Sequence, residues 1–249
     1  MFSTVVLFAQ KQKVNHMTTF DDKLIHFGFT LGLNTMDLAT VHYKAIGENP
    51  DFPQQSDIFY FNEEEEITGS DKLRADISSL IPGFTVGIVS SLRLSRDFNL
   101  RFLPGLSFGE RQLVFNKKVI DANTLSYQSA LYSYSIKSTY LDFPLLIKYK
   151  ARRINNNRPY VIFGTAYRQD ISRTGKDDLV KLTNGGFYAE LGAGWDHYFA
   201  FFRFSVEAKF SFGLNNQLGS TPGPNQRQYY SQAFKSLKSN IFTLCFHFE

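Results

Sequence analysis

Apolar side chains recur at every second position through eight stretches of this chain. In the last, residues 240–249, Phe242, Leu244, Phe246 and Phe248 share one face, while Ile241, Thr243, Cys245 and His247 share the other. Such alternation marks a β-strand, whose successive side chains point to opposite sides. The other seven stretches are residues 23–40, 82–94, 99–115, 134–150, 158–170, 186–199 and 202–215. In the first, Ile25, Phe27, Phe29, Leu31 and Leu33 oppose His26, Gly28, Thr30, Gly32 and Asn34; in the seventh, Phe204, Val206, Phe210 and Phe212 oppose Arg203, Ser205, Glu207 and Lys209. No comparable stretch has the helical period. Soluble strands average about five or six residues, whereas a tilted strand crosses a bilayer in about 9–11. Most of these stretches are long enough to cross and project beyond. Pro104 and Pro144 fall inside strands, where each removes a ladder donor, so bulges or bends are expected there, or strand ends a few residues away from those marked.

The connections alternate between long and short. Residues 41–81, 116–133, 171–185 and 216–235 are long; residues 95–98, 151–157 and 200–201 are short. Outer-membrane barrels have long outer loops and short periplasmic turns. The expectation is an all-β protein: an eight-stranded antiparallel up-and-down transmembrane barrel spanning residues 23–249, with both ends in the periplasm. Phe242, Leu244, Phe246 and Phe248 should form the lipid-facing side of the closing strand, which should meet the first strand near residues 26–34. Glu249 is expected to reach water.

Composition fits. Phe, Tyr and Trp make up 16% of the 249 residues. A mean hydropathy of −0.23 is compatible with a barrel, because only alternate residues face lipid. Tyr149, Trp195, Tyr198, Phe199, Phe201 and Phe202 gather at the short-turn ends as an expected interfacial girdle. Residues 1–10, apolar and ending in Ala-Gln, read as the remnant of a signal peptide, and residues 11–22 as a periplasmic N-terminal segment. The net charge of +4 comes without a basic helix or dense cationic patch, so nucleic acid is not an expected partner. Outer-membrane lipid is. A single cysteine, Cys245, excludes an intrachain disulfide and argues against a cysteine-based zinc site.

The opposite face is rich in Gly, Ser and Thr, which suits a narrow lumen filled by side chains. Its charges have both signs: Arg93, Arg101, Asp142, Lys148, Arg168, Glu190, Asp196, Arg203, Glu207 and Lys209. Unpaired charge is costly in such a space, so a salt-bridged plug is expected rather than an open pore. Lys150, Arg152, Arg153 and Arg158 cluster at a short turn, where they could meet anionic headgroups or a periplasmic partner; Arg152, Arg153 and Arg158 are the candidate periplasmic contact. Glu63-Glu-Glu-Glu66 reads as a solvated loop. No Gly-x-Ser-x-Gly elbow or Walker loop occurs, no histidines have metal-ligand spacing, and neither catalytic residues nor a cofactor are expected. A lipid-acting barrel enzyme using His26 or His42 with a serine stays open as an alternative, as does an adhesin or ligand-binding barrel.

Residues 26–34 (HFGFTLGLN), 82–89 (PGFTVGIV), 99–109 (NLRFLPGLSFG), 138–150 (STYLDFPLLIKYK) and 158–161 (RPYV) resemble, as an ordered set, the PorT family, called SprT in gliding bacteria. The YLDFPLLIKY pattern alone is shared broadly among outer-membrane barrels of Bacteroidetes. The resemblance implies a non-enzymatic outer-membrane component of the type IX secretion system, required for protein export and, where present, gliding motility. It implies other secretion components as partners and a role in translocon assembly or stabilisation. It carries no catalytic motif, and the oligomeric state stays open.

Overall fold

The computed structural model describes residues 14–50, 59–61, 65–67, 69–118, 127–172, 180, 182–219 and 229–249. The signal-peptide remnant lies outside them, as do Glu63 and Glu64. Glu65 and Glu66 begin a short strand that pairs with residues 59–61.

The wall consists of β1 (Ile25–His42), β4 (Lys72–Arg93), β5 (Phe98–Phe102), β6 (Gly105–Lys118), β7 (Tyr127–Lys150), β8 (Asn157–Asp170), β9 (Gly185–Tyr198), β10 (Arg203–Gly213) and β11 (Phe234–Phe248); β2 (Phe59–Phe61) and β3 (Glu65–Ile67) form the small separate hairpin. Each wall strand pairs antiparallel with its neighbours in chain order, and β1 pairs with both β4 and β11. The ring is therefore closed and leaves no open edge. β5 and β6 are one barrel strand interrupted at Leu103-Pro104, so the ring has eight strands. The registers against β4 and β7 run unshifted through this interruption, and Pro104 accepts the Ile88 N–H through its carbonyl at 2.9 Å. Pro144 also sits in unshifted register with β8. The bulges expected at these prolines do not form. Instead the shifts fall at Ile77/Ser79 and Ile81/Phe84 in β4, Val41/His42 in β1, and Phe115/Asn116 and Asn116/Lys118 in β6.

Those shifts lie near the long-loop end, where the two faces exchange character. Around the short-turn half, large apolar side chains point outward: Phe27, Phe29, Leu31 and Leu33 on β1, Phe163 on β8, Leu191 and Trp195 on β9, and Phe210 on β10 are all exposed. A continuous belt of this size is unsuited to water and marks a lipid-facing surface. On β1 the belt ends after Leu33, and the next outward residues are Thr35 and Asp37; Glu110, Lys137 and Asn240 take the corresponding outward positions on β6, β7 and β11. Beyond that level the apolar residues turn inward. Leu38, Leu73, Ala75, Leu113, Phe115, Ile136, Phe234 and Leu237 pack into one buried core, joined by Ile46, Val180, Leu182 and Ala233 from the loops. One sheet thus meets two solvents, with apolar residues outward in lipid and inward in water.

This inversion explains where the expected strand ends differ. β4 begins at Lys72, β7 at Tyr127 and β11 at Phe234, each ahead of the stretch that sequence alternation marks. Leu73 and Ala75 on β4 and Phe234 and Leu237 on β11 point inward, and register shifts on β4, β7 and β11 break the period.

Candidate functional site

The lumen holds stacked layers of paired charge, because inward positions of the lipid-spanning halves carry the polar residues. In the layer nearest the short turns, Arg203 donates to Glu249 at 2.5 Å and Arg101 reaches the same carboxylate at 3.3 Å. Arg101 also donates to Glu207 Oε2 at 2.9 Å, and the Tyr160 hydroxyl donates to the same oxygen at 2.9 Å. Lys148 donates to both oxygens of Asp196 at 2.8 Å, while its Nζ lies 3.6 Å from the Tyr160 ring centroid. Ser205 donates to Asp196 at 2.6 Å. Each charge meets an opposite charge, the condition under which buried ions are tolerated, although Arg101 Nε, Arg203 Nε and Glu207 Oε1 have no hydrogen-bond partner among the described residues.

The next layer is built around Arg168. It donates to Asp142 at 3.1 Å and to Glu190 at 2.5 Å, and it lies 4.4 Å from the Tyr188 ring centroid. Lys209 pairs with Glu190 at 3.0 Å, Ser211 donates to Glu190 at 2.8 Å, and Ser107 donates to Asp142. Above it, buried Arg111 is held by hydroxyls rather than a carboxylate: Ser138 and Tyr140 at 2.7 Å and Ser239 at 3.3 Å. Between the layers an internal cavity of about 20 Å³ remains, lined in part by Thr30, Thr85, Asp142, Cys245 and His247, room for about one water molecule. Among the described residues the interior is a packed plug, and the apolar core closes it toward the long loops.

The short-turn mouth is covered by the N-terminal segment. Asn156 Nδ2 donates to the Val14 carbonyl at 2.9 Å, its Oδ1 accepts the His16 N–H at 2.9 Å, and Arg153 donates to the His16 carbonyl. A 3₁₀ turn, Phe20–Asp22, then enters the mouth. Phe20 stacks on His26 at 4.2 Å, and the Arg203 guanidinium lies 4.8 Å from its ring centroid. Asp21 accepts hydrogen bonds from Arg158 at 3.0 Å and Tyr198 at 2.8 Å, with Arg203 at 3.6 Å and Lys150 at 4.0 Å. Burial opposes ionisation of Asp21, but the Tyr198 hydrogen bond and the charges of Lys150, Arg203 and Arg158 outweigh it. They hold this carboxyl below the usual carboxylate range.

The structure brings Arg101, Asp142, Lys148, Arg168, Glu190, Asp196, Arg203, Glu207 and Lys209 together inside the barrel. Arg93 stands apart: it is at the rim, 29% exposed, and pairs with Asp22 at 3.4 Å. Arg158 and Arg153 are committed within the chain. Arg158 is buried and donates to the Ala151 carbonyl at 2.7 Å as well as to Asp21, while Arg153 donates to the Asn155 carbonyl at 2.7 Å and lies 3.8 Å from the Tyr198 ring centroid. Arg152 is exposed and, unlike the other two, has no side-chain hydrogen bond or ion pair among the described residues. Tyr198 is fully buried and leaves the girdle. Glu249 does not reach water; following outward Phe248, its side chain turns inward and is fully buried. Phe242, Leu244, Phe246 and Phe248 lie on the outer face, with Phe248 stacked on Phe29 at 4.7 Å. Sequence reasoning missed Asp21, Arg111 and Tyr160, and it placed Lys150 in the turn cluster, whereas the structure buries it at the mouth. Strand parity was the available signal for Lys150 and Arg111, which share the inward phase of Lys148 and Ser107.

One cluster unites potential metal donors: Glu207, Cys245 and His247 offer ligand atoms within 4.8 Å of one another, all buried. Glu207 and Cys245 are register partners on β10 and β11. Glu207 is already shared by Arg101 and Tyr160, and Lys209 and Arg168 line the same wall. A divalent cation here adds charge to a region already rich in cations, so the cluster is better suited to anchoring those cations. The candidate lipase histidines have structural contacts: His26 stacks on Phe20 and His42 Nε2 accepts the Ala75 N–H at 2.9 Å.

A family model described as the outer membrane protein beta-barrel domain matches residues 8–219. No curated protein matches the chain in sequence. Solved structures with a similar course of chain include the outer membrane protein OprG from Pseudomonas aeruginosa, 11% identical over 90% of this chain and 93% of that one, with a TM-score of 0.43. Ail, the attachment invasion locus protein of Yersinia pestis, is 8% identical over 91% and 98%, with a TM-score of 0.32. The N-terminal β-barrel domain of Pseudomonas aeruginosa OprF is 12% identical over 88% and 96%, with a TM-score of 0.27.

Proposed function

This chain belongs to the outer membrane protein beta-barrel domain family, and within that family we propose that it is a non-enzymatic component of the type IX secretion system that acts in translocon assembly or stabilisation. The resemblance of residues 26–34, 82–89, 99–109 and 138–150 to the PorT family supports the system. The filled lumen supports the manner of action: with ion-pair layers and an apolar core inside, an integral barrel works through its outer wall, loops and mouth rather than as a conduit for folded cargo. In the corresponding orientation the short turns, the N-terminal segment and Glu249 are periplasmic, and the long loops face outward.

Deletion of the gene should trap type IX cargo in the periplasm, and affinity purification from native membranes should recover other secretion subunits. Normal export in the deletion strain sinks the proposal. If altered lipid A or phospholipid is found there instead, the chain is a lipid-acting barrel.

A further inference from the structure

We infer that the short-turn mouth carries a binding site for the phosphate headgroup of an anionic phospholipid. Beside the docked N-terminal segment opens a cleft of about 740 Å³, lined by six cationic and three acidic side chains. The acidic ones are engaged: Asp21 by Arg158, Asp22 by Arg93 at 3.4 Å, and Asp97 by Arg158 at 3.5 Å. Among the described residues Arg96 and Arg152 are left without a side-chain partner, and Lys150 has only a long one. Lys150 is 1% exposed, and its nearest carboxylate, Asp21, is 4.0 Å away. Arg96, from the turn between β4 and β5, and Arg152, from the turn between β7 and β8, are exposed and make no side-chain hydrogen bond or ion pair among the described residues. Two guanidinium groups on separate turns, with a buried ammonium lining the same cleft, form a receptor for a multiply hydrogen-bonding oxyanion such as phosphate.

The position selects the source of that phosphate. Tyr149 lines the cleft and is also 44% exposed on the outer wall, its ring 5.0 Å from that of Phe98. The cleft is therefore continuous with the aromatic rim of the lipid-facing belt, the depth at which headgroups lie. A phospholipid docked there keeps its chains on the apolar wall while its phosphate reaches Arg96, Arg152 and Lys150. The inference rests on the proposed orientation, which places this rim in the phospholipid leaflet.

Native mass spectrometry of the full chain, released from mixed micelles with equal phosphatidylglycerol and phosphatidylcholine, tests it. The expected result is a single phosphatidylglycerol adduct favoured at least fivefold, with the Arg96→Gln/Arg152→Gln chain falling to parity while keeping heat-modifiable migration. Neither arginine holds the fold, so the variant should remain a barrel. Unchanged preference in the variant overturns the inference. So does displacement of the adduct by millimolar inorganic phosphate, which makes the cleft a free-anion site. Orientation is read separately: labelling of Arg152→Cys by an impermeant maleimide in intact cells puts the cleft on the cell surface and also overturns it. Native Cys245 is buried and does not interfere. Lost lipid preference with intact cargo export removes this inference alone, whereas normal export in the deletion strain removes the secretion reading and leaves the lipid result standing.

Discussion

Glu207 serves Arg101 and Tyr160 through one oxygen, and His247 Nε2 stands 3.4 Å from the same atom. Breaking a lone buried pair destabilises by about 3–5 kcal/mol; Glu207→Ala leaves Arg101 with Glu249 at 3.3 Å but removes the acceptor of Tyr160, so its cost should fall toward the lower end of that range. Glu207→Ala should lower the urea midpoint of the barrel in lipid vesicles accordingly; an unshifted midpoint would show that the ion-pair layer contributes nothing to the fold. Asp21 gives a pH signature. Because its folded pKa is depressed, its stabilisation of the mouth is complete above about pH 4, near the unfolded carboxyl value. It is lost as pH falls through the lower folded value. Hydrogen exchange at residues 18–23, corrected for intrinsic rates, should show protection at pH 5 that declines below pH 4. Asp21→Asn should abolish that protection at both; equal protection at pH 5 in the variant removes the carboxylate from the docking.

At the scale of the strand, the decisive feature is the level at which inside and outside trade character. Leu31 and Asp37 lie on the same outward face of β1, six residues apart. Arginine near the bilayer midplane costs about 2–4 kcal/mol, falling toward the interfaces. Leu31→Arg should therefore destabilise by that amount in vesicle unfolding, and Asp37→Arg should stay within about 0.5 kcal/mol. Equal effects at the two positions would place the belt edge elsewhere. The belt half of each strand was legible in the sequence because lipid imposes an unbroken period of two. The outer extensions were not: Leu73, Ala75, Phe234 and Leu237 are turned inward and register shifts separate them from the belt, so no single alternation runs through them. Pro104 and Pro144 misled for a related reason. A proline removes one donor but need not shift the register if neighbouring carbonyls remain paired.

For the whole molecule, the filled interior predicts electrical silence. In planar bilayers the purified barrel should show no stable pore at low voltage, and steady stepwise conductance would contradict the plug. The chain by itself determined the eight crossings, their antiparallel order, which residues face lipid, and that the inward charges have both signs. Those follow from local rules, since the pleat sets the face and the bilayer sets the length. Tertiary structure alone decided which charges meet. Arg101 and Glu207, or Asp21 and Arg158, lie over 100 residues apart in sequence, and parity specifies only that a side chain points inward, not the height at which ring closure and strand stagger set it. The same closure turned Glu249 from an expected solvent contact into a buried partner of Arg203, and it left Arg96 and Arg152 free beside Lys150.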